Sequence, residues 1–287
     1  MTDVPIARRK FFRKSLVIPT EHGSWSWLLV PFLVGTAVAA RTGMAGRSPW
    51  LPLALTLIGG LSAFLIRQPA AAWLRIRRRR AGAADEPLAA GWTLGLALVA
   101  GGCLAGLLAL GRAALLWLVI PFVGVLLFYL AASRSGRAGL RALWTELIGA
   151  AGLALMAPAA VIAAAGNLVP LAWAVWGLMG AQNMLGVLYV RLRLADTHGR
   201  PANRPLVLGG HIAGLAAVIV TGLLDWAPLP AALPFVGFWL RAVWAVWQPR
   251  PVVDVRRFGF AEVGVEALSG ACIVASFGLH SGQLGLW

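Results

Sequence analysis

The chain alternates long apolar runs with short basic segments. A helix that crosses a bilayer takes about 20 mostly apolar residues. Nine runs meet that length, roughly 23–40, 50–73, 89–110, 113–132, 142–165, 168–190, 205–224, 228–248 and 261–280. Only Gly111-Arg112 separates the third run from the fourth, so these two form a tight hairpin. The first run is long and has no small-x-small cleavage site, so it reads as a span and not as a cleaved signal peptide. The loops leave no room for a soluble domain. The expected fold is all-α, a polytopic transmembrane bundle of about nine helices. It has a basic N-terminal segment over 1–20 and a single transmembrane domain over 21–287.

The basic residues fix an expected orientation. Arg8, Arg9, Lys10, Arg13 and Lys14 precede span one, and Arg75 and Arg77 to Arg80 follow span two. Arg134, Arg137 and Arg141 follow span four, Arg191, Arg193, Arg200 and Arg204 follow span six, and Arg250, Arg256 and Arg257 follow span eight. With nine spans, all of these fall on one side, leaving Arg41, Arg47 and Arg112 on the other. The excess of Lys and Arg on cytoplasmic loops then places the N-terminus in the cytoplasm and the C-terminus outside. The expected location is a bacterial cytoplasmic (inner) membrane, crossed many times.

Composition agrees. Of 287 residues, 60% are hydrophobic and 12% charged, against about 25% charged in soluble domains. A soluble globular protein and a disordered chain are both excluded. A net charge of +15 would suggest nucleic acid in a soluble protein. Here the cations sit between apolar runs, so the expected partners are the lipid bilayer and its anionic headgroups, with no nucleic acid. Cys103 and Cys272 lie inside apolar runs, so neither a disulfide nor a metal site is expected, and no cofactor is implied. Gly91/Gly95, Gly102/Gly106 and Gly210/Gly214 are expected at close helix contacts within the chain.

Polar side chains inside the spans carry the functional signal, because each is costly in hydrocarbon unless satisfied. Arg67 precedes Arg75 by eight residues, about 12 Å along a helix. Gln182 and Asn183 lie at a similar depth before Arg191, as do Arg241 before Arg250 and Glu266 after Arg257. Glu262 shares the face of Glu266, one turn nearer the cytoplasm. Four helices thus put polar groups at one level. The expectation is a single polar cavity open to the cytoplasm, with Trp25, Trp27 and Trp73 flanking its mouth. Two plainer readings stand beside it: Arg241 and Glu266 neutralise each other as a buried pair, and Gln182-Asn183 bonds helices together. Arg67 is followed by Gln68-Pro69, and a proline within a span frees a backbone carbonyl. A cation beside such an irregularity suits an anion. His211 reads as a packing residue, and Asp196-Thr197-His198-Gly199-Arg200 as a solvated loop.

The most specific string is Pro19-Thr20-Glu21-His22-Gly23-Ser24-Trp25, continuing to Pro31-Phe32 and Gly35. It resembles the YwiC-like family of bacterial membrane proteins, whose pattern is Pro-x-(Glu/Gln)-His-Gly-x-Trp followed by Pro-Phe-x-x-Gly. Every position is met. Arg67-x-Pro69 also looks like the family. The resemblance implies a membrane protein and no particular activity.

The architecture is in addition similar to the UbiA-type intramembrane prenyltransferases, in which Asp-rich motifs after spans two and six hold Mg²⁺ against a diphosphate. In this chain the first stretch, from Arg67 to Arg75, contains no Asp, and the second has Asp196 alone among Arg191, Arg193 and Arg200. If that fold is shared, cations stand where the metal site would be, and arginines bind phosphate without a metal. The leading expectation is therefore binding, not catalysis. An anionic small molecule, or a lipid or isoprenoid phosphate, is held by Glu21, His22, Arg67, Gln68, Gln182, Asn183, Arg191, Arg241, Glu262 and Glu266. The alternatives are a proton-coupled transporter of a small anion, a UbiA-like transferase without the usual metal site, and a membrane assembly or scaffold protein.

Overall fold

The computed structural model describes residues 23–79 and 85–280. Among them there is no strand, and nine helices are long and apolar enough to span a membrane. They are α1 (Gly23–Arg41), α2 (Trp50–Arg79), α3 (Glu86–Ala109), α4 (Leu116–Ala132), α5 (Leu143–Ala165), α6 (Pro170–Thr197), α7 (Arg204–Leu223), α8 (Leu233–Trp247) and α9 (Val255–His280), where 3-10 turns extend the fourth span to Ala113–Ser135 and the eighth to Leu229–Trp247. The all-helical, multi-pass reading of the sequence therefore holds.

Helix ends differ from the apolar runs for one reason: charge ends the hydrocarbon-compatible stretch but not the helix. α2 continues past 73 to carry Arg75, Arg77 and Arg78, and α9 begins at Val255, ahead of its first apolar turn. α6 continues to Thr197, so Asp196 and Thr197 belong to its last turn and not to a solvated loop. Asp196 accepts a hydrogen bond from Arg204 Nη2 at 2.6 Å. The Val252 amide donates to Thr197 Oγ1 at 2.9 Å. These contacts pin the connections after α6 and α8 to each other.

α5 and α6 are the central helices, with 72% and 61% of their apolar windows buried, against 11% for α3 and for α4. α5 is broken into Leu143–Leu153 and Met156–Ala165. Pro158 explains the break: it has no N–H for the Ala154 carbonyl, which instead accepts from the Ala157 amide at 3.0 Å in a tight turn. The turn brings Ala157 against α1 at Gly35. A Cβ at position 35 would collide with the Ala157 carbonyl oxygen and stand 2.9 Å from its carbonyl carbon. Only glycine allows that approach.

The expected glycine pairs divide. A Cβ at Gly210 or Gly214 would press on Leu188 or Leu185 of α6, so that pair is a close contact. Gly91, Gly95 and Gly102 face open space, and Gly106 alone of its pair approaches α2, at Leu55. α3 lies at the periphery, and most of its small residues look outward.

α1 contains a second irregularity. Pro31 has no N–H, so the Trp27 carbonyl lacks its helical donor. Asn183, fully buried on α6, supplies one: its Nδ2 donates to Trp27 O at 3.0 Å and to Ala150 O at 3.1 Å. One amide thereby ties α6 to α1 and α5.

Candidate functional site

The polar residues expected to share one cavity lie on opposite flanks of α1. Ser24 of α1 accepts from Arg67 Nη2 at 3.3 Å. Ser26, two residues on, faces the Glu266 carboxyl of α9. Two residues on an α-helix are about 200° apart, so α1 stands between Arg67 and Glu266.

On the α9 flank the polar groups largely satisfy one another. Arg241 Nη1 donates to both oxygens of Glu262, at 2.9 and 3.1 Å, and its guanidinium lies over the Tyr189 ring at 4.1 Å. The expected pairing of Arg241 with Glu266 is thus replaced by Glu262, one turn earlier on α9. Gln182 Nε2 donates to the Glu266 backbone carbonyl at 3.2 Å, and Ser269 donates to Gln182 Oε1 at 2.6 Å. His211 is fully buried and donates through Nδ1 to Val207 O at 2.8 Å. Gln182 and Asn183 therefore act as bonds between helices. Arg191, in the last two turns of α6, pairs with Glu146 at 2.6 Å and donates to Arg141 O at 2.9 Å.

On the other flank, Arg67 lines a narrow, partly open cleft of about 50 Å³ between α2, α4 and α5. Its guanidinium lies over Phe64 at 4.4 Å and Tyr129 at 5.4 Å. Phe64 in turn holds Trp25 edge-on, with centroids 5.2 Å apart. The described end of the N-terminal string and the Arg67-x-Pro69 string are thus packed together, although 43 residues separate Ser24 from Arg67. Glu21 and His22 lie outside the described residues. Gln68 is half-buried and does not line the cleft.

The cleft is polarised along its length. Arg67, Tyr129 and Thr145 stand at the end of the cleft nearer the basic segments that follow α2 and α4. Phe122, Val125, Gly152 and Leu153 continue it toward the membrane centre. From Tyr129 to Phe122 is seven residues, about 10 Å along α4. Gly149 also lines it, and a Cβ there would meet nothing within 4 Å. One cation at the mouth and about 10 Å of apolar wall suit a molecule with an anionic head and a hydrocarbon tail. The sequence reading identified Arg67 but missed Tyr129, Thr145 and Gly149. The first two are polar residues at the ends of spans four and five that meet at the basic segment 134–141, and that is the signal the sequence offers. Among the described residues, no three His, Cys, Asp or Glu side chains converge as metal ligands would.

Comparison with known proteins adds one positive finding. The family model described as YwiC-like protein matches residues 18–161. No curated protein and no solved structure matches the chain. The matched stretch contains the whole Pro19–Trp25 string and every residue that lines the Arg67 cleft. The Arg241–Glu262 pair, Gln182 and Glu266 lie outside it. With half the chain matched and the motif complete from Pro19 to Gly35, this integral membrane protein belongs to the YwiC-like family.

Proposed function

We propose that the protein binds an anionic amphiphile, a lipid or isoprenoid phosphate, with its head at Arg67 and its chain in the cleft between α2, α4 and α5. The observation that carries this reading is the polarity of the cleft: a guanidinium at one end and apolar walls leading from it. Arginine presents a planar set of donors to phosphate oxygens, and a site of low dielectric strengthens that attraction. The proposal is limited to binding: among the described residues the cleft presents a cation and apolar walls.

Dodecyl phosphate and dodecanol provide the test, added to the detergent-solubilised protein while thermal unfolding is followed. A ligand at 100 times its Kd stabilises a folded protein by about 2.7 kcal/mol. Dodecyl phosphate is expected to raise Tm and dodecanol to do so far less. Gly149→Phe fills the cleft from a position with open space and is expected to abolish the shift while leaving Tm without ligand close to wild type. Equal shifts with the two compounds, or an undiminished shift in Gly149→Phe, would refute the proposal.

A further inference from the structure

A second, open groove of about 400 Å³ lies away from the Arg67 cleft, between α1 and α9. Its floor is made of small residues. Gly270 brings α9 close to α1, where a Cβ would stand 2.7 Å from Val34 Cγ2. On the outward side, Ala267, Ala271 and Ala275 recur every fourth residue and are exposed, facing Leu33 and Ala37 of α1. The repeat of four keeps them on one helix face, and their short side chains leave a trough.

The walls are apolar apart from Arg41, which closes one end. From Val30 to Arg41 the groove follows α1 for eleven residues, about 16 Å. Half of a bilayer's hydrocarbon is about 15 Å. The trough therefore has the length of one leaflet, on the side opposite the basic loops. Arg41 lies across Gly278, where a Cβ would meet its Nη1 at 3.2 Å. Among the described residues no carboxylate lies within ion-pair distance of it.

We infer that this groove seats one anionic phospholipid of the leaflet opposite the N-terminal basic segment, an acyl chain along the alanine trough and the phosphate on Arg41. The charge at the end of the trough favours a lipid over a second copy of the chain. Two copies related by a two-fold axis through this face would run parallel in the membrane and bring both Arg41 side chains to one level, like charge against like charge. This site is separate from the Arg67 cleft and does not depend on it.

Native mass spectrometry of delipidated protein tests the inference, with phosphatidylglycerol or phosphatidylcholine of identical chains added back. The wild type is expected to bind one phosphatidylglycerol about tenfold more tightly than phosphatidylcholine through this groove. Arg41→Gln is expected to erase that preference. Ala271→Phe, which fills the trough from an exposed position, is expected to lose one bound lipid of either kind. Gly149→Phe fills only the other cleft and is expected to leave this binding event unchanged, so the two proposals fail separately. The inference is overturned if Arg41→Gln keeps the full preference. It is also overturned if Ala271→Phe retains the lipid, or if Ala271→Phe instead dissociates a dimer. A role of Arg41 confined to the carbonyl end of α1 predicts no discrimination between headgroups.

Discussion

The contact between Asn183 and the carbonyl freed by Pro31 makes a quantitative prediction through a double-substitution cycle. Asn183→Leu keeps the number and branching of the side-chain heavy atoms but removes both hydrogen bonds, to Trp27 O and Ala150 O. Ala150 O keeps the Ala154 amide at 3.2 Å, so the larger loss falls at Trp27 O, which has no helical donor. A buried group left unsatisfied costs about 1–3 kcal/mol. Hydrogen bonds between membrane helices measure about 0.6 kcal/mol on average and about 1.7 at most. The single substitution should therefore cost about 2 kcal/mol. In a Pro31→Ala background the new backbone N–H at position 31 reaches Trp27 O along the helix, and Asn183→Leu should then cost about 1 kcal/mol. The expected coupling is about 1 kcal/mol, read from reversible unfolding in mixed micelles titrated with SDS. Independent sites add within about 0.3–0.5 kcal/mol. A coupling inside that range would refute the claim that Asn183 exists to satisfy the carbonyl that Pro31 frees.

Further expectations follow from the same structure. Gly35→Ala should destabilise by at least about 1–3 kcal/mol, the cost of overpacking, despite the better helix propensity of alanine. Gly91→Ala, at an open position, should be neutral or slightly stabilising in the same unfolding assay. Glu262→Gln, which leaves Arg241 without its charged partner, should cost about 3 kcal/mol or more. Replacing both by apolar residues of similar size should recover most of that loss; a double substitution as unstable as the single one contradicts the pairing. In a background with Cys103 and Cys272 replaced by alanine, a cysteine-reactive reagent that does not cross membranes should label Arg47→Cys on intact cells and label Arg134→Cys only after permeabilisation. The reverse pattern would invert the orientation.

How much was legible in the sequence depends on which coordinate of the bundle is asked for. Hydropathy gave the spans because burial in lipid acts on every side chain of a run. It gave the helix ends poorly, since α2, α6 and α9 continue as helices past their apolar stretches. Depth was legible from the fixed rise of a helix, so Arg67, Gln182, Arg241 and Glu266 could be placed at one level. Azimuth was not, because it depends on how helices pack. Ser24 facing Arg67 while Ser26 faces Glu266 is a difference of two residues that separates one expected cavity into two regions. The glycines show the same limit: Gly210/Gly214 meets a neighbour and Gly91/Gly95 does not, although their spacing is identical. For Asn183, expected among the ligand-holding residues, the hydrogen bonds favour the plainer alternative of a bond between helices and add its target. That target could have been found from Pro31 alone, since a proline in a span names the carbonyl that needs a donor.

The central claim is that the Arg67 cleft holds an anionic amphiphile, and the most direct measurement is the mass of what it carries. Native mass spectrometry of protein purified without added lipid, wild type beside Arg67→Ala and Gly149→Phe, reads this in one experiment. The account predicts an adduct containing phosphate or another anionic head on the wild type, weakened in Arg67→Ala and absent from Gly149→Phe, with all three proteins folded. An adduct equally abundant in all three, or a bare wild type that also ignores dodecyl phosphate, would contradict it and make Arg67 a structural residue at the meeting of α1, α2 and α4.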